Sequence, residues 1–215
     1  MAYRVILWVG DSKTHGTRAM RDITDRRRFA RDQRWPSVMA AELGAGWEVI
    51  PEGHPGRNAV FDDPIEGAHK NGLAVLPALL ETHRPIDLVI VMLGTNDLKA
   101  RFSVPASDIA IGLERVVLAI RQSGLGPQNA APKVLVAAPV PIKETGFLAP
   151  MFAGGAEKSR ALAGFLREMA DRQGAAVIGL APVAEVDPTD GIHLTAEAQG
   201  AIGRAMAGAV RGMFG

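Results

Sequence analysis

Ser12, Asp190 and His193 are the residue types of nucleophilic acyl chemistry, set near opposite ends of the sequence. A serine hydroxyl attacks a carbonyl efficiently only when a base takes its proton and a carboxylate fixes the tautomer of that base. The oxyanion that forms then needs hydrogen-bond donors aimed at it. Backbone amides at Ser12 and Gly56 and the side-chain amide of Asn96 offer such donors. Taken singly, each element has a plainer reading. Gly10-Asp11-Ser12 is a turn whose aspartate caps the following amides, Gly94-Thr95-Asn96-Asp97 is a turn or helix cap, and Asp190-x-x-His193 is a cap beside an exposed imidazole. It is their combination that points to catalysis.

For these residues to meet, the chain must bring several loops to one edge. The run from Tyr3 to Val9 is short, apolar and ended by Gly10, which reads as a buried strand opening into a tight loop. Residues 47–50, 87–93, 133–138 and 175–180 read as further strands. Of these, 87–93 (DLVIVML) is apolar throughout, as a central parallel strand covered on both faces should be. Helical patterns fall between them. One runs from Trp35-Pro36-Ser37 to Leu43, with Pro36 at its start and Gly44 past its end. Others cover 71–82, with a kink expected at Pro77, then 106–122 and 156–172. A last helix is capped by Thr195 and carries Ile202, Met206, Val210 and Met213 on one face. This alternation predicts a single three-layer α/β domain over residues 1–215 with a five-stranded, mostly parallel sheet. In such a sheet ligands bind beyond the carboxyl ends of the strands, where Ser12 falls.

Composition removes several function classes. A net charge of +1 supplies no global basic field, so nucleic acid is not an expected partner. The absence of cysteine excludes a disulfide scaffold, a thiolate nucleophile and a Cys-based zinc site. No apolar run approaches the ~18 residues of a membrane span, and the first residues lack the pattern of a signal peptide, so a cytoplasmic location is expected. Within residues 13–34 basic side chains outnumber Asp22, Asp25 and Asp32, which reads as a solvated loop, an oligomer contact or a rim selecting anionic substrates. His69 and His83, beside a predicted helix, are expected to face solvent. His15 and His54 flank the serine and glycine loops, but with His193 they lack the helical spacing of metal ligands, so no metal is expected. Gly10 to Gly16, with Lys13-Thr14, has the wrong residue order for a phosphate-binding loop.

The set Gly10-Asp11-Ser12, Gly56, Gly94-Thr95-Asn96-Asp97 and Asp190-Gly191-Ile192-His193 resembles the SGNH, or GDSL, hydrolases. Arg34-Trp35, Asp62-Asp63-Pro64, residues 87–99 and 131–136, and Phe152-Ala-Gly-Gly155 are similar to the arylesterase and acyltransferase branch. The resemblance implies a flavodoxin-like sheet and an esterase, without metal or cofactor, acting on small acetyl-like or aryl esters. It also implies a homo-oligomer whose loops narrow each entrance, and acyl transfer to alcohols as an accompanying activity. A carbohydrate acetylesterase or thioesterase would use the same residues. A catalytically silent binding module would not need the set intact.

Carried onto this chain, the resemblance makes Ser12 the nucleophile, His193 the general base and Asp190 its orienting carboxylate, with Ser12, Gly56 and Asn96 as the oxyanion hole. Asp11, Lys13, His15, His54, Phe152 and Ile192 are the expected substrate contacts. The branch carries a hydrophobic residue directly after the serine and an aromatic two positions later, where Lys13 and His15 stand here. A more polar pocket wall is therefore expected. The loop from Phe147 to Phe152 is placed to line the acyl pocket, cover it or meet a neighbouring subunit.

Overall fold

The computed structural model describes residues 3–215. Its five strands are β1 (Arg4–Gly10), β2 (Trp47–Gly53), β3 (Leu88–Met92), β4 (Lys133–Ala138) and β5 (Ala176–Gly179). They form one sheet of order β2-β1-β3-β4-β5, and every pairing in it is parallel. The five expected strands are present; β2 runs three residues further than expected, as far as Gly53, because it stays paired with β1 up to Gly10.

Alternation along the central strands decides which layer each side chain joins. In β1, Val5, Leu7 and Val9 pack on one face, while Ile6 and Trp8 pack on the other. Register keeps the faces continuous, since Leu7 is opposite Val89 and Val89 is opposite Val134. The first face is covered by α3 (Gly72–His83), α4 (Ala106–Gln122) and α5 (Gly155–Gln173); the second by α2 (Trp35–Leu43) and α6 (Ala196–Phe214). Both faces of β3 are fully buried, so its sequence has no reason to alternate.

Local chemistry sets the helix ends. Asn71 accepts from the backbone N of Ala74 at 3.1 Å and Thr195 from that of Ala198 at 3.1 Å, which starts α3 and α6. A single-turn helix, α1 (Ser12–His15), begins with Asp11 accepting from the backbone N of Lys13 at 2.8 Å and ends at Gly16, whose φ is +85°. Among the described residues, no helix is long and apolar enough to cross a membrane.

The order of strands places a switch point beside β1. The chain leaves β1 toward β2 on one side and returns to β3 on the other, so the loops after β1 and β3 diverge and leave a crevice between them.

Candidate active site

Ser12 stands at that crevice, as the first residue of α1 immediately beyond β1. Its Oγ is 3.1 Å from His193 Nε2, and His193 Nδ1 is 2.6 Å from Asp190 Oδ2. All three residues are buried. The loop before α6 is wound around Asp190: its Oδ1 accepts from the backbone N of both Ile192 and His193 at 2.9 Å. Burial opposes the charge on Asp190, but hydrogen bonds from His193 and from the backbone of Met20, together with the imidazole's charge, outweigh it and hold the carboxyl at about 2.

The second and third loops are clamped to each other. Asn96 Nδ2 donates to the Arg57 carbonyl at 3.0 Å, and Asp97 Oδ1 accepts from the backbone N of Ala59 at 2.9 Å. The remaining Asn96 N–H has only a long 3.4 Å contact with Asp11 Oδ2. Arg57 Nη1 donates to the carbonyls of Glu52 and Gly10, which ties this loop back to the ends of β2 and β1. Gly56 has φ +82°, a backbone conformation that favours glycine.

A cavity of about 330 Å³ opens onto Ser12, Gly56, Asn96 and His193. Its apolar lining is formed by Met20, Ile23, Leu148, Met151, Phe152 and Ile192. Its charged lining comprises Asp25, Arg26, Glu66, Lys70 and Lys99, with Lys99 Nζ 2.5 Å from Glu66 Oε1. Phe152, Ile192 and His15 therefore lie where expected, and the Gly146–Phe152 segment, a run of 3₁₀ turns, lines the cavity.

Three expected substrate contacts lie elsewhere. Lys13 is 1% exposed and points into the body of the protein, with Nζ 2.8 Å from Thr95 Oγ1. Its burial lowers its proton affinity, against the opposing pull of Asp11 and Asp190. On a one-turn helix adjacent side chains diverge by about a third of a turn, so Ser12 facing the crevice sends Lys13 away from it. Asp11 is likewise buried and spent on capping α1. His54 does not reach the cavity; its Nε2 lies 3.1 Å from Lys70 Nζ. The polar part of the cavity wall is built instead by His15, Thr17, Asp25 and Arg26 of the first loop and by Glu66, Lys70 and Lys99 of the second and third.

His15 is half-buried, with Nδ1 2.9 Å from Thr17 Oγ1, and burial with nearby Arg28 and Arg34 lowers its pKa to about 4. His69 is exposed as expected, but His83 is half-buried, with Nε2 3.1 Å from Glu52 Oε1. Residues 13–34 are more than a solvated loop: Met20 and Ile23 line the cavity, and the Met20 backbone N donates to Asp190 Oδ2 at 2.7 Å. A backbone donor leaves no mark in composition. Ile23 was legible only as an isolated apolar residue in a charged stretch.

Residues 8–201 match the model of the GDSL-like lipase/acylhydrolase family. Est24, a carbohydrate acetylesterase from Sinorhizobium meliloti, is 38% identical with a TM-score of 0.93, the match covering 98% of this chain and 99% of that one. The native M. smegmatis aryl esterase is 38% identical with a TM-score of 0.92, over 97% and 99% of the two chains. A structure of a carbohydrate acetylesterase family member from Sinorhizobium meliloti is 39% identical with a TM-score of 0.90, over 98% of each chain. No curated protein matches the sequence.

Proposed function

We propose, from the premise that this chain belongs to the GDSL-like lipase/acylhydrolase family, that it hydrolyses small acyl esters through an acyl-enzyme on Ser12. The protein is a carboxylic ester hydrolase of the SGNH type. The observation carrying the mechanism is the relay from Ser12 Oγ through His193 to Asp190, with spans of 3.1 and 2.6 Å, at the floor of a cavity.

In this mechanism Ser12 Oγ attacks the acyl carbon while His193 Nε2 takes its proton. Asp190 stays ionised, accepts from Nδ1 and stabilises the imidazolium. The carbonyl oxygen, now negative, turns toward the backbone N–H groups of Ser12 and Gly56 and the second N–H of Asn96, which gives up its long 3.4 Å contact with Asp11 Oδ2. Neither of those backbone groups donates to another described group, which supports this assignment. His193 next returns the proton to the leaving alkoxide. Water, deprotonated by His193, attacks the acyl-enzyme and frees the acid; an alcohol in its place would give acyl transfer.

A volume of about 330 Å³, shared between acyl group and alcohol, favours short acyl chains. A carbohydrate alcohol is the second reading, supported by Glu66 and Lys70 in the cavity wall, which can exchange hydrogen bonds with hydroxyls. The basic test compares the wild type with Ser12→Ala on a chromogenic acetate ester. The variant should lose nearly all turnover while remaining folded; equal rates would reject the mechanism. A panel of acetyl, butyryl and octanoyl esters with an acetylated sugar and an acyl-CoA then sorts the substrates.

A further inference from the structure

A second cleft, of about 680 Å³, adjoins the first at His15, so that this one residue belongs to the walls of both cavities. Arg28, Arg31 and Arg34 line it, above apolar ground that includes Pro36, Val38 and Val49. We propose that Arg28 and Arg34 form an anion site there that takes the phosphate group of a phosphorylated small molecule.

The two guanidinium groups are held in place by backbone. Arg28 Nε donates to the His15 carbonyl at 2.6 Å, and Arg34 Nε donates to the Phe29 carbonyl at 2.9 Å. Phe29 is itself fastened to the same turn, its backbone N donating to the Gly16 carbonyl at 2.8 Å. The stem of Arg34 lies on Gly16, where a Cβ would come within 2.7 Å of Arg34 Cγ. Each side chain is thus anchored through Nε onto residues 15–29 and keeps its two terminal nitrogens for a ligand.

Nothing described neutralises them. Arg21, Arg27, Arg101 and Arg172 each pair with a carboxylate, but among the described residues no carboxylate lies within ion-pair distance of Arg28, Arg31 or Arg34. Asp32 and Glu42 border the cleft without reaching them. Burial and the charge of Arg34 weaken the hold of Arg28 on its proton, as expected of cations kept close together. Two fixed guanidinium forks without an acid partner match the several oxygens of a phosphate better than the two of a carboxylate, and each fork can engage a pair of oxygens. The cleft is much larger than a phosphate, which leaves room for the rest of the molecule. That phosphate has two sources, the substrate's own alcohol or a separate effector, and the oxyanion chemistry is the same for both.

Titration of the protein with inorganic phosphate, followed by calorimetry and by the NMR signals of the His15 ring, tests the site without reference to esterase activity. The wild type should bind at millimolar concentration and the His15 signals should move. Arg34→Gln should weaken binding about tenfold or more, whereas Asp32→Asn, which removes a nearby negative charge, should tighten it. That opposite sign separates loss of the site from general damage to the fold. No phosphate binding by the wild type, or binding indifferent to both substitutions, overturns the proposal. A second arm compares a neutral acetate ester with an acetate ester of a phosphorylated alcohol. A selective fall in kcat/KM for the charged ester in Arg34→Gln assigns the phosphate to the substrate. A change in neutral-ester rate on adding phosphate, lost in the same variant, assigns it to an effector.

Discussion

Asp190 Oδ2 lies 2.6 Å from His193 Nδ1 and 2.7 Å from the backbone N of Met20, so one carboxylate oxygen joins the last loop of the chain to the segment that follows Ser12. The same atom orients the imidazole and fixes one wall of the cavity. Asp190→Asn keeps the size of the group but removes the charge that stabilises the imidazolium, and an amide does not enforce the required tautomer. Turnover of a chromogenic acetate ester should fall on the order of 10⁴-fold. A loss below tenfold would remove Asp190 from the mechanism.

Asn96 has one amide N–H committed to the Arg57 carbonyl at 3.0 Å and the other held only by a long 3.4 Å contact with Asp11 Oδ2. Asn96→Ala should lower kcat by about 10²–10³ with little change in KM, because the bond it removes strengthens as the oxyanion forms. Loss of the Arg57 contact should also cost about 1 kcal/mol of stability in urea unfolding. An effect confined to KM would contradict an oxyanion role.

The parts legible in sequence were those that repeat or that follow one another along the chain. Strand identity followed from apolar runs such as 87–93, and the loops holding Ser12, Gly56, Asn96 and His193 followed from where those runs ended. What the sequence could not supply was direction within a short element. Lys13 and His15 are two residues apart on one turn, yet the first is sealed against Thr95 and the second divides two cavities. Nor does any residue type announce a backbone contact, so the donation from Met20 to Asp190 was invisible. The polar wall was equally hidden, since Glu66 and Lys70 reach the cavity only through the fold of a loop with little regular structure.

Gly191 links Asp190 to Ile192 with φ +72°, and a Cβ there would stand 1.9 Å from the Lys143 carbonyl oxygen. Gly191→Ala therefore combines a backbone conformation costing about 1–2 kcal/mol for other residues with a clash against main chain that has no flexible end to yield. Unfolding stability should drop by more than that backbone cost alone. Because relief requires the loop to move, the Ser12–His193 distance should lengthen and esterase activity should fall with it. A variant with unchanged stability would show that the loop relaxes freely, contrary to its bonding between Lys143 N and the Gly191 carbonyl at 2.8 Å.

His15 and His54 both have pKa values lowered to about 4, the first mainly by burial with Arg28 and Arg34, the second mainly by burial with Lys70 and Arg57. In the unfolded chain each returns to about 6.5. The unfolded state then binds protons more readily, so these two groups withdraw stability as pH falls from about 6.5 toward 4. Asp97 acts the other way. Its burial raises its pKa to about 7 from 3.8, so the folded state takes up the proton and acidification across the same interval adds stability. Total stability can therefore be nearly flat while large terms cancel, and the informative quantity is a difference between proteins. Urea unfolding of the wild type and of a His15→Gln/His54→Gln double variant at pH values of about 7.5 and 5 isolates the histidine contribution. At the lower value Asp190, held at about 2, remains ionised and does not enter. The wild type should lose more stability between the two conditions than the double variant does, and equal losses would mean that the two imidazoles take up protons in the folded protein as easily as in the unfolded chain.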